Sequence, residues 1–209
     1  IAANDVTMNL TSVTNVGGTI SGAKALNISS LGDITNTSGT LTGGNVSLTS
    51  IAGSIKNETM VTGSGDDKNF ATSIGKTAGI LATGNLALDA KKDITVFGAD
   101  VVAGGNASLA AGGNVSFDTI VDKTTNTSHS SSTSLLTATT SSTTTTKERN
   151  IGSVLVTGGG LSIKSGGDTT IAGSTADVGG DLSVDVGGNF NVVARQDKTT
   201  RKTVTETSC

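Results

Sequence analysis

The sequence predicts an all-β chain wound as a parallel β-solenoid of short strands and tight corners. Three observations carry that expectation. Residues 83–125 recur at 158–200 without a gap, so that Gly84, Leu86, Asp93, Gly98, Gly104 and Asn114 meet identical residues at Gly159, Leu161, Asp168, Gly173, Gly179 and Asn189. Most units of the repeat read Gly-Gly-Asn/Asp, apolar, Ser/Thr, apolar, which is a turn followed by a half-buried strand. The composition agrees, with 29 Gly and no Pro, Trp or Tyr among 209 residues. Large aromatics usually supply much of a core's buried area; here Val, Ile, Leu, Thr and Ala must fill the interior.

The units begin at Gly43, Thr83, Lys91, Gly104 and Gly112, then at Gly158, Gly166, Gly179 and Gly187. In both blocks the starts are spaced by 8, 13 and 8 residues, so one circuit takes about 21. Three short strands with their corners need about that length, within the roughly 20–45 residues of stacked repeats. Gly-Gly-Asn/Asp tolerates positive φ, which a tight corner is expected to need. Period-2 alternation points Leu86/Leu88, Ile94/Val96, Val115/Phe117, Leu161/Ile163, Leu182/Val184 and Phe190/Val192 inward. About seven coils at ~4.8 Å each make a rod of about 35 Å. Helix is not expected, because no apolar 3.6-residue period persists.

Along the chain, residues 1–209 are expected to form a single β-helix fragment. Residues 1–55 read as irregular coils (Val6/Met8/Leu10, Leu26/Ile28, Val46/Leu48), 56–77 as a polar excursion, and 78–117 as coils. Residues 118–150 form a Ser/Thr-rich arm, 151–194 return to coils, and 195–209 begin a second arm with the same entry, Asp-Lys-Thr-Thr. Two readings of the Ser/Thr tracts stay open. They are low-complexity loops, or extended β-hairpins leaving the coil, since Thr favours strands. The repeated entry favours the hairpin.

Several function classes are excluded or weakened. A net charge of −3 argues against a nucleic-acid partner. No 18-residue apolar run is present, so no membrane-spanning helix is expected. An outer-membrane barrel needs strands of roughly 10 residues and aromatic girdles, and this chain offers neither. Cys209, the only cysteine, cannot staple the fold internally and reads as an unpaired chain-end thiol. Ile1 begins inside patterned sequence, so the chain reads as part of a longer one.

No residue is assigned a catalytic, cofactor-binding or metal-binding role, and no cofactor or small-molecule substrate is expected. His129, the only histidine, sits in Thr-Ser-His-Ser-Ser-Ser and reads as a solvated side chain, with nothing to order a triad around it. One His and one Cys leave no basis for a zinc site. Asp33, Asp93, Asp168 and Asp181 lie at turn glycines, where paired carboxylates could act as acid and base. Asn45, Asn106, Asn114 and Asn189 occupy equivalent corners, however, and a position that accepts either residue performs turn chemistry. The Gly63–Asp67 run lacks the nonapeptide pattern of calcium-binding solenoids. The Gly-Gly pairs are not followed by the helix and Lys-Ser/Thr of a phosphate loop.

Residues 83–125 and 151–208 resemble the haemagglutinin repeats of large two-partner-secreted exoproteins, a family of filamentous haemagglutinin-type adhesins and CdiA-like effectors of contact-dependent growth inhibition. The carrying motifs are Gly158–Ile163, Gly166–Asp168, Gly173-Ser174, Gly179–Val184 and Gly187–Asn189, with the Ser/Thr arms starting at Asp122 and Asp197. The resemblance implies a right-handed parallel β-helix shaft on a Gram-negative cell surface. It implies export through an outer-membrane two-partner secretion pore, and contact with a target or host cell surface during adhesion or toxin delivery. Three classes are therefore carried forward: a structural shaft, a binding module whose arms contact glycan, lipopolysaccharide or membrane, and a polysaccharide-active enzyme.

Overall fold

A computed structural model describes residues 1–208, and the reading of Cys209 lies outside the described residues. The chain divides into two compact units. Ile1–Met60, Gly75–Ile120 and Ile151–Arg195 make the first, and Val61–Ile74, Val121–Asn150 and the residues from Gln196 onward make the second. All regular structure among the described residues is strand.

In the first unit the chain passes through three parallel stacks in turn. Gly79–Ala82, Asp100–Ala103, Val154–Thr157 and Thr175–Val178 belong to the first stack, and Leu86–Ala90, Ala107–Ala111, Leu161–Ser165 and Leu182–Val186 to the second. The long strands Ala2–Leu10, Thr19–Ser30 and Thr40–Ser50 each run through both. Val13–Val16, Ile34–Thr37, Ile55–Glu58, Ile94–Phe97, Val115–Asp118, Thr169–Ala172 and Phe190–Val193 form the third. Neighbours in a stack pair like with like: Val13 with Ile34, Ile34 with Ile55, Ile94 with Val115. This all-β, parallel arrangement is that of a β-helix.

The alternation in sequence decides what goes inside. Along Leu86–Ala90 the pattern is buried, exposed, buried, exposed, buried. Ile28, Leu48, Leu88 and Leu109 stack in one buried column, and Ile34, Ile55, Ile94 and Val115 in another. Each such side chain contributes about 1.5–3 kcal/mol by leaving water. A one-residue slip would turn every one of them outward, so the column fixes the register.

Leu182/Val184 and Phe190/Val192 keep the expected inward register, Leu182 opposite the buried Leu161 and Phe190 opposite the buried Thr169, while Leu182 is 57% and Val192 68% exposed. They lie on the coil at the end of both stacks, where no strand covers the next position. The inward-pointing face of a coil is buried only when a coil lies on either side of it.

One expectation is corrected, that of the Gly-Gly-Asn/Asp corners. None of their glycine pairs has positive φ, which among the described residues occurs at Gly17, Ser38, Gly65, Gly98 and Gly173. Glycine at the pairs serves close approach instead. A Cβ on Gly104 would overlap the carbonyl oxygen of Thr83, and one on Gly158 the carbonyl oxygen of Gly104. The backbones of adjacent coils touch there, and no side chain fits between them.

Four of the five positive-φ residues share one corner, the passage from the third stack to the first. Gly17, Ser38, Gly98 and Gly173 each follow a third-stack strand directly. At the equivalent positions Thr59, Thr119 and Ala194 φ is not positive, and there the chain goes on into the second unit. The left-handed residue is used where the corner closes and is absent where the chain departs.

The second unit is a five-stranded sheet in the order Lys198–Ser208, Ala138–Ile151, Ile120–Thr133, Phe70–Ile74, Val61–Gly65. Its pairings are antiparallel. The Ser/Thr tract supplies the two 14-residue strands, joined by a tight turn in which the Ser134 N–H donates to the Thr137 carbonyl. Thr's branched Cβ suits the pleated surface.

Candidate functional site

The first unit carries two kinds of side-chain ladder. One is buried. Asn15, Asn36 and Asn57 occupy the same inward position of successive third-stack strands. The Asn15 amide donates to Asn36 Oδ1 at 2.8 Å, and the Asn36 amide to Asn57 Oδ1 at 2.7 Å. The spare amide hydrogens reach the carbonyls of Gly18, Gly39 and Asp100. Asn36 and Asn57 are fully buried, and every buried side-chain polar atom among the described residues has a partner. The next residues of the column are Val96 and Phe117, so the interior changes from amide to apolar within one coil.

The other ladders are exposed and run along the two remaining corners. Asn45 Oδ1 accepts the Asn85 N–H, Asn85 Oδ1 the Asn106 N–H, and Asn106 Oδ1 the Gly160 N–H, at 2.8–2.9 Å. At the next corner Asp33 Oδ1 accepts from Ser54, Asp93 from Asn114, Asn114 from Asp168, and Asp168 from Asn189. The carboxylates read as possible acid–base pairs thus lie in a ladder that joins coil to coil. Asn and Asp interchange because each offers the one acceptor oxygen the ladder uses. Asp181 stands at the first of these corners, where its carbonyl accepts the Leu161 N–H. Beside that ladder lies an open groove of about 640 Å³, floored by Ser47, Ala87, Ser108 and Ser162.

One bidentate ion pair crosses coils. The Arg195 guanidinium donates to both carboxylate oxygens of Asp118. That contact holds the Asp118 carboxyl below the usual carboxylate range. Asp100, by contrast, is pushed up by burial alone.

In the second unit the sheet is polar on both faces. Thr125 meets Thr146 at 3.1 Å, Thr127 meets Thr144 at 2.9 Å, and Thr143 meets Thr203 at 3.1 Å. Charges gather near one end of these strands. Asp122 accepts from the Thr72 hydroxyl at 2.7 Å and from Arg149 at 3.0 Å, which together lower its pKa. Lys123 pairs with Glu148. In the Gly65–Asn69 turn, the N–H groups of Asn69 and Lys68 donate to Asp66 Oδ1 and lower its pKa. His129 is exposed on the strand Ile120–Thr133. No cluster of three or more His, Cys, Asp or Glu able to hold a metal occurs among the described residues.

Sequence patterning shows the inward alternation of the Gly-Gly-Asn units, but hydropathy alone does not show the buried asparagine column. Its signal is present, an Asn two places after an apolar residue in Val13-Thr14-Asn15, Ile34-Thr35-Asn36 and Ile55-Lys56-Asn57.

Comparison with known proteins places this geometry. No curated protein and no solved structure matches the chain. A family model described as the hemagglutinin repeat matches residues 62–207, from the first strand of the arm sheet nearly to the last. That family is of structural or adhesin type and is not a family of enzymes. With most of its length in that match, the chain belongs to the hemagglutinin repeat family.

Proposed function

We propose that this chain is shaft from a large secreted surface exoprotein of a Gram-negative bacterium, serving cell adhesion or contact-dependent growth inhibition. In this reading the coil is right-handed, takes 21 residues per circuit, and sends out a Ser/Thr-rich hairpin after every second coil. Export runs through an outer-membrane two-partner secretion pore, and contact with a target or host cell surface is made by other parts of the exoprotein. The observation that carries the reading is the sameness of the coils. The corner acceptor of one coil takes the N–H of the next, rung after rung, from Asn45 to Gly160 and from Asp93 to Asn189. Stability built from equal local contacts suits a spacer whose length is set by repeat number.

A second reading makes the chain a binding module. It is supported by the arm sheet, which exposes hydroxyl-bearing side chains on both faces. One experiment separates the two. The chain and a version with residues 121–150 excised are tested for binding to lipopolysaccharide, outer-membrane vesicles and a glycan array. The shaft reading expects no saturable binding by either. Saturable binding lost on excision would replace it with the second reading. Turnover of an acidic glycan, abolished by Asp93→Asn or Asp168→Asn, would overturn both.

A further inference from the structure

The sheet of the second unit has a step in it. The strands Val61–Gly65 and Phe70–Ile74 are five residues each, and their hairpin closes where the Asp66 N–H donates to the Asn69 carbonyl. The neighbouring strand, Ile120–Thr133, is 14 residues long. It pairs with the short hairpin at Thr124 opposite Ala71 and Thr125 opposite Phe70. Beyond that point no strand of the described residues lies against this side of Asn126–Thr133. Both hairpins close within the sequence, so the bare stretch is internal to it. An edge of this kind presents a row of unpaired N–H and C=O groups, which another strand can take up. Edge strands are ordinarily guarded by Lys, Pro or inward charges; Asn126–Ser134 contains no Lys, Arg, Asp, Glu or Pro.

An apolar feature lies at each end of this edge. At the far end the hairpin tip carries Leu135 and Leu136, exposed by 99% and 81%. At the near end the step forms a notch of about 350 Å³, walled by Phe70, Ala71, Thr124 and Asn126. We propose that two copies of this chain join antiparallel through Asn126–Ser134, with Ser130 opposite Ser130 on the two-fold axis and the leucine tip of each copy at the notch of the other. Ser128 then faces Ser132, Thr127 faces Thr133 and Asn126 faces Ser134, so that Leu135 follows directly at the partner's notch. Hydroxyl opposite hydroxyl already builds this sheet, in Thr127 with Thr144 and in Thr143 with Thr203, and such cross-strand pairs are favourable.

The step fixes the register. With His129 on the axis, the second copy's Thr133 falls opposite Thr125, at the place Phe70 holds. With Ser131 on the axis, Thr127 falls opposite Leu135, inside the turn that Ser134 and Thr137 close, and the ladder shortens. Parallel pairing brings both short hairpins to the same end of the joint, where they collide; antiparallel pairing sets them at opposite ends. The joint is isologous and closes at two copies. It goes beyond the shaft reading and links one such chain to another.

The test is sedimentation of the full chain over a concentration series, in reducing buffer and with Cys209→Ser so that a disulfide cannot imitate the joint. A reversible dimer is expected. Ser130→Lys and Ser130→Glu each set a charge against its own copy and should each weaken the dimer by about tenfold or more. Mixed together, these two variants should pair with each other. Leu135→Ser combined with Leu136→Ser should also weaken the dimer by about tenfold or more. Thr95→Lys, in the third stack of the first unit, should leave it intact. Circular dichroism should show all variants equally folded. A chain monomeric at every concentration overturns the proposal. So does a dimer indifferent to the Ser130 exchanges or to loss of the leucines, a mixture of the two charged variants that stays monomeric, or a dimer lost with Thr95→Lys.

Discussion

Replacing Asn36 by valine isolates what the buried amide column contributes. Asn36 is fully buried; it accepts from Asn15 and donates to Asn57 and to the Gly39 carbonyl. Valine removes the donor from Asn57 Oδ1 and the acceptor from one Asn15 amide hydrogen. Asn15 keeps Gly18, and the Gly39 carbonyl keeps the Gly79 N–H. Two buried polar groups are thus left without partners, at about 1–3 kcal/mol each. The apolar gain of valine offsets part of that, leaving a net loss of about 3 kcal/mol. Changing Asn15, Asn36 and Asn57 to valine together removes every partner at once and extends the apolar column already formed by Val96 and Phe117. The triple variant should therefore lose less than the single one, about 1 kcal/mol or none. Urea titration followed by circular dichroism measures both, with an unchanged m-value confirming that the folded state is comparable. A neutral Asn36→Val, or a triple variant costing the sum of three singles, would refute the reasoning.

Burial separates two substitutions that the repeat makes look equivalent. Val115→Asp, at a fully buried position, should cost several kcal/mol, whereas Leu182→Asp, more than half exposed, should cost under about 1 kcal/mol by the same titration. Gly158→Ala places a methyl against the Gly104 carbonyl and should cost roughly 1–3 kcal/mol as the coils part, while Ala87→Gly on the exposed outer surface should cost at most about 1 kcal/mol. The Asp118–Arg195 pair predicts a pH signature. Because Arg195 lowers the folded-state pKa of Asp118, its stabilisation is complete above the unfolded value of about 3.9 and is lost as pH falls through the folded value. Arg195→Met should therefore be less stable than the parent at neutral pH, and the gap should close on acidification below about pH 4; a gap that persists at low pH would assign the loss to packing.

The regular coils were legible because their physics is local and periodic. Gly-Gly, one acceptor side chain and two apolar residues in alternation recur at 104–109 and 179–184, and each feature has a single cause. The role of the glycines was not legible. Positive φ and close approach of a second backbone both call for glycine, and only the stacking of Gly104 on Thr83 distinguishes them. Lys56-Asn57-Glu58 shows a similar failure. Three polar residues in a row read as an excursion, yet Ile55–Glu58 is a third-stack strand whose central Asn57 is buried. Hydropathy places a buried amide in solvent unless its partners 21 residues away are considered with it. The corner Asp residues were legible as turn residues from their exchange with Asn, but the N–H groups they accept belong to the neighbouring coil, which no local pattern reveals.

The corner that follows the third stack works like a railway junction. A left-handed residue sets the points for the main line at Gly17, Ser38, Gly98 and Gly173, and an ordinary backbone sends the chain down a siding at Thr59, Thr119 and Ala194. New segments can therefore be spliced in at this junction without dislodging a rung of the laddered corners. A lineage could thus refit its surface many times over while the track beneath stayed the same.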